Sequence, residues 1–330
     1  MDHIRLVTLV VGLVLLGCAA RDPGLAPLEE RLARARAEQE ALHQRLEATR
    51  RAAQAGDPRA QRQLGEMYAA GRGTAVDHAQ AVRWYRAAAD RGDAEAQYRL
   101  GVFLDYGVGA PKDPAAAVHY LEQAARQGHL KAQRHLAALL DEGRGVPADP
   151  VAATHWYRAA AEQGDRESQS ALASRYALGK GTPADAKEAV RWYRAAAEQG
   201  SAMDQYQLAL SYEMGVGVAA DDFEAERWYR AAAEQGLVSA QFALGSLYSG
   251  GSRVGRDRVE AAKWLFIAAE AGYPGARRAL RELERQMTRR DVAEAEDLGR
   301  EWIERYLKGQ GVEPAAADPS KGERSGSGPR

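Results

Sequence analysis

The 330-residue chain has a single cysteine, Cys18. That excludes an intramolecular disulfide framework, a paired-cysteine redox motif and a cysteine-rich zinc site. It also lacks an excess of charge of either sign. Lys plus Arg is 45 and Asp plus Glu is 46, so the cationic surplus of a general nucleic-acid binder is missing. Gly and Pro together make only 45 residues, too few for a disordered or collagen-like chain. No segment is apolar enough to cross a bilayer as a helix, which takes about 20 apolar residues. In place of these stands alanine, at 68 residues about a fifth of the chain. Alanine has the best intrinsic helix propensity and its methyl side chain lets helices approach closely. The length suits one or two globular domains or one long repeat array.

The first seventeen residues read as an export signal. Arg5 and the α-amino group form a basic start, and Leu6 to Leu16 is an apolar run of h-region length. The run ends Leu15-Leu16-Gly17-Cys18-Ala19. This resembles a bacterial lipobox, in which the chain is cut before the cysteine and the thiol receives a diacylglycerol. The resemblance implies lipidation of Cys18, stable anchoring by more than one acyl chain, and sorting to the outer membrane, facing the periplasm, because Ala19 rather than Asp follows the cysteine. Residues 18–27 are then a tether. Residues 28–55 contain no Gly or Pro and form one expected helix. Leu28, Leu32, Ala35, Gln39, Leu42, Leu46, Thr49 and Ala53 make a weak heptad seam on it. A capping helix over the first repeat and a short coiled coil both fit this segment.

Self-similarity governs the remainder. Gly56, Gly92, Gly128, Gly164, Gly200, Gly236 and Gly272 are spaced by 36 residues. Numbering each repeat from this glycine, Gln61 and its equivalents hold position 6, and Leu64 and its equivalents hold position 9. Trp84, Trp156, Trp192, Trp228 and Trp264 hold position 29, with Tyr120 in the second repeat. Six full repeats span 56–271, and a partial one extends the array to 287. Each repeat reads as two helices. The first carries core residues at positions 5, 9, 10 and 13, with a small residue always at 10. It ends at a Gly-x-Gly pair such as Gly71 and Gly73, where glycine takes the left-handed conformation. The sixth repeat departs, with Gly250, Gly251 and then Arg253. The second helix begins at Asp77, Asp113, Asp149, Asp185, Asp221 or Asp257, each a strong N-cap. Gln80, Glu188, Glu224 and Glu260, three residues on, suggest a capping box. The tryptophans read as core wedges. Thr288 and Asp291 open a C-terminal capping helix over 288–308, and 309–330 reads as a disordered tail.

Blocks such as Ala60-Gln61-x-x-Leu64-Gly65-x-x-Tyr68-x-x-Gly71-x-Gly73 and Trp192-Tyr193-Arg194-Ala195-Ala196-Ala197-Glu198-Gln199-Gly200 resemble Sel-1-like repeats, relatives of the tetratricopeptide repeat. The resemblance covers 56 to about 307. It implies an all-α fold, a right-handed α/α superhelical solenoid of helix-turn-helix repeats. Function in such folds sits on the variable surface.

Catalytic motifs are scarce. The seven histidines make no H-E-x-x-H, and no G-x-S-x-G elbow or S-x-x-K triplet occurs. No cofactor or metal site is expected. What varies between repeats is the first helix's face opposite the core stripe, which by analogy with related solenoids lines the concave groove expected to take the partner; Arg62, Tyr98, Arg99, Arg134, Tyr206, Gln207 and Phe242 lie there. Aromatic and Arg side chains are enriched at binding hot spots. Tyr98, Tyr206 and Phe242 share position 7, so they are candidates for an aromatic row; packing of position 7 against the next repeat is the competing reading. The expected role is a non-catalytic, lipid-anchored scaffold for a protein or peptide partner, in an envelope complex such as secretion or polysaccharide export. A hydrolase acting on cell-wall or β-lactam substrates, and glycan binding along the aromatic row, are the alternatives.

Overall fold

The computed structural model describes residues 26–250 and 257–311. The expected signal, Cys18, nearly all of the tether, Arg253 and most of the C-terminal tail fall outside the described residues. Among the described residues there are fifteen helices and no strand. They divide into two units.

The first unit, ending at His129, holds α1 (Ala26–Gln54), α2 (Pro58–Ala70), α3 (His78–Ala89), α4 (Ala94–Tyr106) and α5 (Pro114–Arg126). The second, from Leu130, holds α6 (Leu130–Glu142), α7 (Pro150–Glu162), α8 (Arg166–Leu178), α9 (Ala186–Glu198) and α10 (Ala202–Met214). It continues through α11 (Asp222–Glu234), α12 (Val238–Gly250), α13 (Arg258–Glu270), α14 (Ala276–Glu284) and α15 (Arg289–Gly309). Each unit is a run of helix-turn-helix repeats of the α/α solenoid class.

The helices start where short polar side chains satisfy free backbone donors. Asp77, Asp113, Asp149 and Asp257 each accept the amide three residues on, at 2.9–3.0 Å. The first helices end at Gly71, Gly107, Gly179 and Gly215, all left-handed. The capping-box expectation needs correction. The Glu188, Glu224 and Glu260 carboxylates accept the indole N–H of Trp192, Trp228 and Trp264, four residues on, at 3.0–3.2 Å. A buried indole N–H needs a partner. The tryptophans with this glutamate are buried, whereas Trp84 and Trp156, which follow Gln80 and Ala152, are half-buried.

The core within a repeat is built on fully buried Leu64, Leu100, Leu136, Leu172, Leu208 and Leu244 and on alanines at positions 26, 33 and 34. Position 10 faces the second helix of its own repeat. A Cβ built on Gly65, Gly101 or Gly245 would stand 2.7–2.9 Å from Tyr85, Leu121 or Leu265. The second glycine of the loop faces the preceding repeat. A Cβ on Gly181 would lie 2.0 Å from the Pro150 carbonyl oxygen, and one on Gly217 2.2 Å from that of Ala186. With φ near +70° at both, no side chain is tolerated there.

A polar relay crosses such junctions within each unit. The Gln97 side-chain amide donates to the Ala89 carbonyl of the preceding repeat, at 3.1 Å. Its own oxygen accepts from Gln127, at position 36, at 2.7 Å. The relay recurs at Gln169 with Gln199, and at Gln205 with Gln235. Position 36 is not glutamine in the first and sixth repeats, where Arg91 and Ala271 stand. There the buried oxygens Oε1 of Gln61 and Gln241 have no partner.

The C-terminal part of α1 keeps this register. Ala53 supplies the carbonyl for Gln61, and the Leu42 carbonyl is 2.7 Å from a Cβ on Gly73. Arg50 donates to the Tyr68 hydroxyl at 2.8 Å, as Arg158 does to Tyr176 and Arg194 to Tyr212, both at 2.6 Å. At the other end α15 packs on α13. Trp302 meets Trp264 edge-on at 5.7 Å and stacks on Tyr306 at 5.0 Å. The Tyr306 hydroxyl donates to the Gln235 carbonyl at 3.1 Å. Thr288 caps α15 by accepting from the Asp291 amide.

The orphaned oxygens give a direct test. Ala271→Gln places a donor beside Gln241 Oε1 and should stabilise the protein by about 1 kcal/mol, seen as a higher thermal midpoint. Gln199→Ala, which orphans Gln169, should destabilise it by about 1–3 kcal/mol.

Candidate partner-binding surface

Of the seven residues expected on the recognition face, four are engaged by the next repeat. Position 7 lies against position 2 of the following repeat, 31 residues on. Arg62 Nε donates to Asp93 Oδ2 at 3.2 Å, and Arg134 Nη1 to Asp165 Oδ2 at 3.0 Å. In both acids the other oxygen caps a helix, accepting the amide of Ala96 or Ser168. Tyr98 stacks on His129 at 4.8 Å and Phe242 stacks on Tyr273 at the same distance. At these four junctions the chemistry of the two positions is matched, ionic with ionic and aromatic with aromatic. Position 7 there packs on the next repeat, the competing reading for it, and Arg62, Tyr98, Arg134 and Phe242 stay half-buried.

The other three differ. Arg99 is exposed, bonded to Glu95 at 2.6 Å and placed over the Tyr98 ring at 5.8 Å. Tyr206 is half-buried, 5.7 Å from Tyr229. Burial pushes its phenol up, with smaller contributions from Tyr273 and Glu213. Gln207 is half-buried. The three aromatics expected as a row each have their own ring partner: Tyr98 in the first unit, Tyr206 and Phe242 in the second.

Sequence reading missed two features. One is the spacing of 31, visible as Arg62 with Asp93, Arg134 with Asp165 and Phe242 with Tyr273. The other is Arg175. Position 12 holds Met67, Phe103, Leu139, Ser211 or Leu247 in the other repeats, yet Arg175 there is only 4% exposed. It donates to Asp141 Oδ1 at 2.7 Å, and Lys180 Nζ donates to Asp141 Oδ2 at 2.9 Å. Large apolar side chains also remain exposed in the second unit, at Leu178, Met214, Val216 and Phe223.

No group of three or more potential metal ligands converges among the described residues. No helix among them is long and apolar enough to cross a membrane. His119 touches Gln123 and the edge of Tyr120, and His155 the edge of Trp156.

The Sel1 repeat model matches residues 58–93, 94–129, 130–165, 166–201, 202–237, 238–273 and 296–324. The chain belongs to the Sel1 repeat family. The Sel1 protein is 32% identical, with a TM-score of 0.62 over 87% of its length, to c5321, a protective antigen of uropathogenic Escherichia coli with an SLR fold. It spans about three fifths of that protein, 62%. It is 33% identical to a Sel1 repeat protein from Oxalobacter formigenes, with a TM-score of 0.50, covering 64% of this chain and 85% of that one. No curated protein matches it. Sel1 repeat proteins in general mediate protein–protein interactions, and the scaffold is generally non-enzymatic.

The Tyr98–His129 junction has a titratable component. Burial raises the Glu95 carboxyl, but hydrogen bonds from His129 and Arg99 outweigh it and hold the group below its ordinary range. A depressed carboxyl contributes stability that is present above its unfolded value and lost as pH falls through the folded one. Glu95→Gln should therefore lower the denaturation midpoint at pH 6, and the gap to wild type should close as pH drops below about 4.

Proposed function

We propose that this Sel1 repeat protein is a lipid-anchored scaffold of the bacterial envelope that binds a protein partner on the periplasmic face of the outer membrane. The family's general role in protein–protein interaction supports the binding part. The observation that carries it is a set of exposed large apolar side chains in the second unit. Leu178 and Met214, one repeat apart, are 79% and 63% exposed, with Val216 and Phe223 nearby in sequence at 48% and 59%. Exposed large apolar side chains recurring at one repeat position, as Leu178 and Met214 do, mark a candidate interaction surface. The anchoring part is supported by the Leu15-Leu16-Gly17-Cys18 signal, since two or three acyl chains hold a protein stably at a bilayer where one does not.

Two experiments test the two parts separately. Cys18→Ser should abolish labelled palmitate incorporation and move the protein from the membrane to the soluble fraction; unchanged pelleting removes the anchor. Cross-linking in intact cells should capture a reproducible envelope partner whose yield falls when Leu178 and Met214 are both changed to Ser. Capture insensitive to that change removes these apolar side chains as the binding surface.

A further inference from the structure

The partner-binding reading leaves open what chemistry the second unit recognises, and the surroundings of Arg175 answer it. A cleft of about 250 Å³ is lined by Asp141, Tyr157, Ser174, Arg175, Leu178 and Lys180. Its floor is a charge at a place where the other repeats carry Met, Phe, Leu or Ser. A buried guanidinium in such a position is costly unless fully compensated. Here compensation is incomplete. Arg175 Nη1 and Nη2 both point to one oxygen, Asp141 Oδ1, at 3.3 and 2.7 Å. Asp141 Oδ2 is taken by Lys180. One carboxylate thus serves two cations, and the buried Arg175 Nε has no hydrogen-bond partner.

Glu142 and Arg134, the other charges that act on Tyr157, have partners of their own. Glu142 is paired with Arg144 at 2.7 Å, and Arg134 is held by Asp165 and Glu167. The Arg175 guanidinium lies 5.1 Å from the centre of the Tyr157 ring, which fixes its plane without supplying an anion. The cleft therefore keeps a surplus positive charge, a half-exposed lysine at its mouth and an exposed leucine on its rim.

The geometry points to a docking site for a carboxylate carried by the protein partner, with an apolar neighbour of that carboxylate packing on Leu178. Lys180 and Arg175 receive the acid, and Asp141 holds the two cations together when the site is free. An acidic side chain next to a leucine and a chain terminus ending in leucine offer the same chemistry. The site rests on the scaffold reading above and refines it.

Amide resonances of residues 174–182 in the purified full-length protein provide the readout. The probes are acetyl-Ala-Glu-Leu-Ala-amide, acetyl-Ala-Ala-Leu with a free carboxylate, and acetyl-Ala-Gln-Leu-Ala-amide as the uncharged control. One or both carboxylate peptides should shift these resonances saturably, and which one does so identifies the source of the acid. The control should not. Arg175→Met installs the residue of the first repeat and should weaken binding at least about tenfold, the effect of losing one charge-assisted hydrogen bond. Lys180→Gln, on an exposed loop, should weaken it in the same direction and serves if Arg175→Met does not fold. Equal shifts from the glutamine peptide, unchanged binding in the folded variants, or no shift from either acid overturns the site. If a partner is still captured in cross-linked cells and Lys180→Gln leaves its yield unchanged, the pocket is discarded and the scaffold survives.

Discussion

The glutamine at position 6 is the interaction on which the stacking depends. It is a polar group buried to 2–6% exposure in all six repeats, and each buried amide must find partners or cost free energy. The relay solves this by geometry. The side-chain nitrogen reaches back to a carbonyl of the preceding repeat, and the oxygen is closed by glutamine 36 of its own repeat. A repeat shifted by one residue along its neighbour would break the bond to the carbonyl, while glutamine 36 holds the amide in the orientation that bond needs. Apolar alanines and leucines supply most of the burial but are indifferent to small slips, so the relay fixes register while the methyl groups fix distance.

Around that relay, four junctions carry a pair at positions 7 and 2. Acids at position 2 serve as helix cap and as ion-pair partner with separate oxygens, so one residue both starts a helix and aligns it on the previous repeat. The pairs differ from junction to junction, which makes one repeat a poor substitute for another at a foreign position. The relay is incomplete at its two ends, where Gln61 and Gln241 lack their closing donor. Both lie where an unlike element replaces a full repeat, α1 on one side and the short α14 with α15 on the other.

Much of this was legible in the chain. A 36-residue glycine period gives the repeat, and Asp and Gly at fixed offsets give the helix ends, because caps and left-handed turns are local chemistry. The small residue at position 10 and the leucine at position 9 likewise follow from helical periodicity. The candidate recognition face was less legible. Position 7 varies, and variation on an expected outer face reads as recognition until the neighbour 31 residues away is seen to vary with it. Glu188 looks like the second half of a capping box until the indole of Trp192 is found beside it. Arg175 stood out only once its burial was known.

The sequence by itself determined the helices of the repeats, their order, the period and the caps of the second helices, since these depend on residues within a few positions of one another. It also supplied the one cysteine on which the anchoring proposal stands. Tertiary structure decided which variable side chains are spent inside the array and which face outward, since that depends on contacts between residues about thirty positions apart. The same contacts put Arg175, Asp141 and Lys180 in one cleft, 34 and 39 residues from the shared carboxylate, a distance over which no local pattern carries information.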